Sequence, residues 1–247
     1  MKFIIGKKIE MTQVWQGDKV VAVTRVQAGP CVVTQVKNVE KDGYEAIQVG
    51  FGVRKEKNIN KPQRGHTKGL GNFSAMREFR VEAGQVKTGD RIEVGTFTVG
   101  DGIQVSGVSK GKGFQGVVRR HGFSGSKKTH GNKDQLRMPG SAGATGPAHV
   151  FKGMRMGGRM GGDNVTTKNL EIVEVDVENN ILSIKGAVPG ARNGLVLISG
   201  EGELIISAPK NEVKAEAVIE EKIEEVQDNT EAVVAEEIKE ETKSDDK

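Results

Sequence analysis

The sequence predicts a mainly β protein: sheet-forming material in two blocks, a long irregular extension inserted between them, and an acidic tail. Three observations carry this. Runs of branched apolar residues, punctuated by Gly, Asp and Asn turn signals, fill residues 2–108 and resume from Leu170 to Ile206. Between the blocks, 109–164 has glycine every three or four residues, and from Gly122 to Gly162 no apolar period of two or 3.6 is long enough to bury a face. Charge divides the chain as well: 210–247 holds fourteen Asp or Glu and six Lys, net −8, while 1–209 carries net +12.

Phe3 to Trp15 and Val20 to Val26 read as strands joined by the turn Gln16-Gly17-Asp18. Cys31 to Val36 is a third strand. Asp42-Gly43 is a hairpin signal, after which Ile47, Val49 and Phe51 alternate as in a half-buried strand. Short strands at this spacing suggest a barrel or a sandwich. From Arg54 to Arg77 seven cations face Glu56 alone, in a loop with a short helix that is either a solvated excursion or a second anion contact. Phe79 to Val81, Gln85 to Val94 and Ile103 to Val108 return to strand. In Leu170 to Val177, Val173, Val175 and Val177 share one face, with Glu174 and Asp176 on the other. Asn179-Asn180 turns into Ile181 to Lys185, and Leu195 to Ile198 and Leu204 to Ile206 complete the set.

The expected organisation is one β domain from 1–108 and 165–209, whose halves pair and push 109–164 out as a finger. The tail 210–247 is expected to be disordered or transiently helical, because its apolar stripe is thin. About forty residues running out and back in extended form would reach at most roughly 60 to 70 Å.

From Ser106 to Asp163 the chain carries eleven cations against Asp134 and Asp163. A segment that builds no core and concentrates positive charge calls for a polyanion to order it. Cys31 is the single cysteine, so no internal disulfide and no Cys-based zinc cluster is available, which fits a reducing cytosol. At the start, Phe3-Ile4-Ile5 is too short an apolar run for a signal peptide or a membrane span.

Gly111-Lys112-Gly113-Phe114-Gln115-Gly116 matches G-x-G-x-x-G, but a dinucleotide site needs a full helix and a second parallel strand after it, and Val117 to His121 allows a turn and a half before Gly122. His121, His130 and His149 lack the i, i+4 spacing of a metal pair and sit among cations, so no metal site is expected. Ser124, Ser126, Ser141 and Cys31 have no patterned base, so no catalysis is expected either. What the extension offers is RNA chemistry. Lys and Arg neutralise phosphate, glycine lets the backbone approach a sugar-phosphate chain, and Phe114, Phe123, Phe151, Met154, Met156 and Met160 provide surface for exposed bases. Duplex DNA fits less well, because no recognition helix is patterned.

The run from Val108 to Gly122, V-S-K-G-K-G-F-Q-G-V-V-R-R-H-G, closely resembles the signature of the universal large-subunit ribosomal protein L-three family. The resemblance continues through His130-Gly131, Arg137-Met138-Pro139-Gly140-Ser141, Val150-Phe151-Lys152-Gly153, Met160-Gly161 and Lys185-Gly186-Ala187-Val188-Pro189-Gly190, and it begins at Gly6-Lys7-Lys8-Ile9-Glu10-Met11-Thr12-Gln13. It covers residues 1 to about 209. It implies a six-stranded barrel of the translation-protein type, whose extension threads large-subunit rRNA toward the peptidyl transferase centre. It also implies direct binding of 23S rRNA near its 3′ end, early in assembly, contacts with neighbouring large-subunit proteins, a cytoplasmic location, and no enzymatic activity, cofactor, membrane or small-molecule substrate. The rRNA contacts it implies, with the lysines of the same stretch, are Lys110, Lys112, Arg119, Arg120, His121, Lys127, Lys128, His130, Lys133, Arg137, Lys152, Arg155 and Arg159. Gln104 and Glu10 depart from the usual pattern. Ser141 to His149 lacks the glutamine that many bacterial members methylate, so that modification is not expected. Two other readings make different predictions: a free RNA chaperone or translation factor would be washed off ribosomes by high salt, and a nucleotide-dependent oxidoreductase would bind a dinucleotide through Gly111 to Gly116.

Overall fold

The computed structural model describes residues 1–81, 84 and 86–207, so the expectation for the tail 210–247 lies outside the described residues. In chain order the elements begin with β1 (Lys2–Gln16), β2 (Lys19–Ala28), β3 (Cys31–Lys37), α1 (Val39–Asp42) and β4 (Ala46–Val53). There follow α2 (Lys61–His66), β5 (Phe73–Phe79), β6 (Arg91–Ile92), β7 (Gly102–Val108), β8 (Phe114–Gln115) and α3 (Val117–His121). The last are β9 (Gly158–Arg159), β10 (Asn164–Asp176), β11 (Ile181–Lys185), β12 (Leu195–Gly200) and β13 (Ile206–Ser207). The described residues fall into two compact units, Met1–Gly29 with Val94–Leu204, and Pro30–Glu93 with 205–207.

The first unit is the expected six-stranded barrel, closed and antiparallel throughout in the order β1-β12-β7-β10-β11-β2, with β2 returning to β1. Closure leaves no free edge to template aggregation. Among its buried residues are Phe3, Ile4, Ile5, Val23, Val26, Ile103, Val105, Ile172, Leu182, Ile184, Val196 and Ile198, each at most 2% exposed. Burying a side chain of this size contributes about 1.5–3 kcal/mol. Gly6 lets β1 pass close to β2, since a Cβ there would lie 2.7 Å from Val26 Cγ1 and 2.9 Å from the Gln27 carbonyl. Beyond a bulge between Lys8 and Glu10, β1 and β2 run on as a two-stranded ribbon turned at Gly17, leaving Trp15 69% exposed.

In β10 the simple alternation does not hold. A bulge between Ile172 and Glu174 shifts the register against β11, Ile172 is the fully buried residue, and Val177 lies beyond the strand, 56% exposed. The face expected from Val173, Val175 and Val177 is thus not one buried row. The Asn179-Asn180 turn forms, with Asp176 accepting the Asn179 N–H at 3.0 Å.

The second unit is a five-stranded antiparallel sheet in the order β13-β6-β3-β4-β5. The strands of 31–79 therefore build a sheet of their own and contribute none to the barrel. Cys31, Val33, Ile47, Val49, Phe73, Phe79 and Ile92 are buried there. Phe73 lies over the bare Cα of Gly50, where a Cβ would be 2.5 Å from the ring. The turn marked by Asp42-Gly43 is the one-turn α1, ended by Gly43 at φ 80°. Of the basic segment 54–77, 61–66 is helical, whereas the residues from Phe73 are already strand. Of Gln85 to Val94, only Arg91–Ile92 is strand among the described residues.

Each unit holds an ion pair that acid should break. In the first, the buried Lys2 ammonium pairs with Asp101, which also accepts the Thr98 N–H at 2.6 Å. Burial alone would raise the Asp101 carboxyl, but these bonds outweigh it and hold the group below its ordinary 3.8. In the second, Lys37 pairs with Glu78 at 2.8 Å and donates to the Tyr44 hydroxyl at 2.7 Å. The bond from Lys37 is the main reason Glu78 sits below its ordinary 4.5, and the same bond raises Lys37 above 10.5. The carboxylates' contribution is complete above their ordinary values and is lost as pH falls through the lower folded values; that of Lys37 is complete below 10.5 and lost as pH rises through its folded value. Asp101→Asn is accordingly expected to melt below wild type near neutrality, with the gap closing as pH falls below the carboxyl's ordinary 3.8 and through its lower folded value. Thermal melts across that range check it, and a gap independent of pH would show that the pair contributes nothing.

Candidate nucleic-acid interface

The extension leaves the barrel as a continuation of β7 and β10, whose pairing ends at Val108 opposite Asn164. The ladder persists outward. Ser109 N–H reaches the Asp163 carbonyl at 2.9 Å, Lys112 N–H the Met160 carbonyl at 2.9 Å, and Met160 N–H the Gly113 carbonyl at 3.0 Å. Beyond these, β8 and β9 pair Phe114 with Arg159 and Gln115 with Gly158. The two limbs come so close that Gly161, at φ 75°, could carry no Cβ without striking the Lys110 carbonyl.

The root of this stem is buttressed by the loop after β11. A Cβ on Gly107 would lie 3.1 Å from the Pro189 carbonyl, and one on Gly190 3.1 Å from that of Val108. Lys8 donates to the carbonyls of Val188 at 2.7 Å and Gly190 at 3.5 Å. Burial, then the charge of Lys110, lowers the Lys8 ammonium. Lys8 and the 186–190 loop belong to the matched blocks of sequence, but their role as supports for the extension has no signal in composition.

Gly116 and Gly122 confine α3 to five residues, and Gly122, at φ 74°, returns its N–H to the Val118 carbonyl at 3.1 Å. Val117, 3% exposed, anchors the turn. Among the described residues, the strand before α3, β8, has only the antiparallel β9 beside it, so Gly111 to Gly116 opens no nucleotide-binding unit there.

Farther out the chain is irregular and cationic. Ser126 N–H bonds the Leu136 carbonyl at 3.0 Å, and Gly125, at φ 71°, gives that carbonyl room. The loop so closed carries Lys127, Lys128, His130 and Lys133, and is braced by Asn132 donating to the Lys127 carbonyl at 2.8 Å. Arg137 follows the closure, and Lys152 and Arg155 lie on the returning limb. Of the thirteen expected contact residues twelve are exposed, and His121 is half-buried. Among the described residues no cation of the extension is in an ion pair. Phe114, Phe151, Met154 and Met156 expose apolar surface, with His149 edge-on to Phe151 at 5.5 Å, whereas Phe123 and Met160 are half-buried. On the second unit Arg54, Lys55, Lys57, Lys61, Lys68 and Arg77 are exposed, but Arg64 is paired with Glu56 at 3.1 Å.

A closed antiparallel barrel with an uncompensated cationic arm, a short ladder at its base and an irregular loop beyond, defines a class of architectural nucleic-acid-binding proteins. Comparison with known proteins narrows it. The family model described as Ribosomal protein L3 matches residues 69–178. The chain is 50% identical over 204 residues to large ribosomal subunit protein uL3 of Chlorobium limicola, covering 80% of this chain and 98% of that one. It is 52% identical over 201 residues to the uL3 of Heliobacterium modesticaldum, with 80% and 95% covered. With the uL3 of Herpetosiphon aurantiacus the identity is 49% over 200 residues, with 79% and 94% covered. The chain belongs to the ribosomal protein L3 family.

Proposed function

We propose that this chain binds 23S rRNA directly, near the 3′ end and early in assembly, with its arm directed toward the peptidyl transferase centre. Family membership makes it a structural constituent of the large ribosomal subunit, associated there with rRNA and other ribosomal proteins in the cytoplasm, and not an enzyme. The observation that carries the finer reading is the arm's run of exposed cations without acidic partners, set on a stem that holds them away from the barrel. Fixed positive charge suits phosphate, the exposed Phe114, Phe151, Met154 and Met156 suit unstacked bases, and the irregular backbone suits folded RNA better than a regular duplex.

The expected result is that the chain sediments with large subunits and stays with them through a high-salt wash, as an integrated subunit protein does. Release by that wash would favour an exchanging chaperone or factor, and migration free of subunits at low salt would overturn the reading. Cross-links mapped from 109–164 onto 23S rRNA would locate the contacts.

A further inference from the structure

Two of the residues expected to touch RNA are already engaged within the protein. Arg120 donates from Nη1 to the Met156 carbonyl at 2.9 Å, and His121 Nε2 lies 3.0 Å from the same oxygen. A carbonyl only accepts, so the imidazole donates there too. We propose that Arg120 and His121 are positioning residues that clasp the outgoing limb of the arm to the returning one, so that its stem and direction exist before RNA is met. This deepens the rRNA-binding reading and rests on it.

Three further features converge on the clasp. The guanidinium lies across Gly158, where a Cβ would come within 2.5 Å of Nη1 and 3.1 Å of Cζ. Gly158 has no positive φ, so glycine is required there for the space it leaves and not for its backbone. Below the clasp the limbs are joined by the backbone bonds of Lys112 and Met160 and by the β8–β9 pair, whereas beyond Met156 the bonds are local turns and a single loop closure. Arg119, one residue earlier, makes only a bond to Gln115 Oε1 at 3.2 Å and remains exposed toward a partner. Arginine suits the role because its planar fork holds one orientation against a carbonyl while its charge survives at any physiological pH.

The experiment compares full-length wild type, Arg119→Ala, Arg120→Ala and Gly158→Ala in binding deproteinised large-subunit rRNA over a range of salt, together with hydrogen exchange of the free proteins. Loss of a phosphate contact flattens the log–log salt dependence by about 0.7–0.9, and Arg119→Ala is expected to do so. Arg120→Ala and Gly158→Ala are expected to weaken binding about three- to tenfold at every salt concentration with the slope unchanged, because they remove preorganisation and not a phosphate contact. Both should also speed exchange of the Lys112 and Met160 amides roughly tenfold or more in the free protein. Gly158→Ala keeps every charge and displaces only the far end of a flexible side chain, so it separates the clasp from a phosphate contact without threatening the fold. A slope lowered by Arg120→Ala as by Arg119→Ala, or a silent Gly158→Ala, overturns the proposal. Wild type that binds the rRNA without salt dependence overturns the binding reading instead, and the exchange data still decide the clasp.

Discussion

Raising monovalent salt from about 50 to 200 mM is expected to weaken binding of this chain to deproteinised large-subunit rRNA by roughly three to five orders of magnitude. The arm presents its cations in the open with no acid of its own to pair them, so each phosphate it neutralises releases a counterion, and six to ten such contacts give a loss of about that size. Filter binding over the salt series reads the slope directly. A slope corresponding to only one or two contacts would mean that the arm's charge is not what holds the RNA, and the reading would fail at its base.

Phe3→Ala is expected to cost about 3–5 kcal/mol, a large part of the roughly 5–15 kcal/mol that holds a domain folded. Phe3 is fully buried in β1 and pairs with Ser199 of β12, at one of the barrel's six seams. Removing the ring leaves a cavity at a position with no exposed surface, and strand pairing limits how far the neighbours can close it. With a urea dependence of about 1–3 kcal/mol per molar, the unfolding midpoint should fall by about 1 M or more. A shift within error would show that this ring is not part of a packed core.

Most barrel strands were legible because alternation and turn residues are local. Asn179-Asn180 ends β10, Gly17 turns β1 into β2, and the insertion of the arm follows from strand pattern on both sides of it. Which sheet a strand joins was not legible. Val33 and Val49 alternate just as Val23 and Val105 do, yet the first two lie in the second unit's sheet, since partner choice depends on contacts far apart in sequence. The bulge at Ile172–Glu174 was hidden for the same reason.

In the arm, counting charge found the cations but treated them alike. It could not see that the carbonyl of Met156 holds Arg120 and His121, because a backbone acceptor has no signature in sequence. Gly158 and Gly161 likewise read as room for RNA, whereas they are room for the arm's own limbs.

The barrel's seam between β1 and β12 sets the order of events during synthesis. Lys2 pairs with Gly200 and Phe3 with Ser199, so β1 leaves the exit tunnel nearly two hundred residues before its partner. At about 5–20 residues per second that is a wait of roughly 10 to 40 s, during which β1 has only β2 beside it. The cationic arm emerges within this interval, so nascent chains carry it into the cytosol before the barrel that roots it can close.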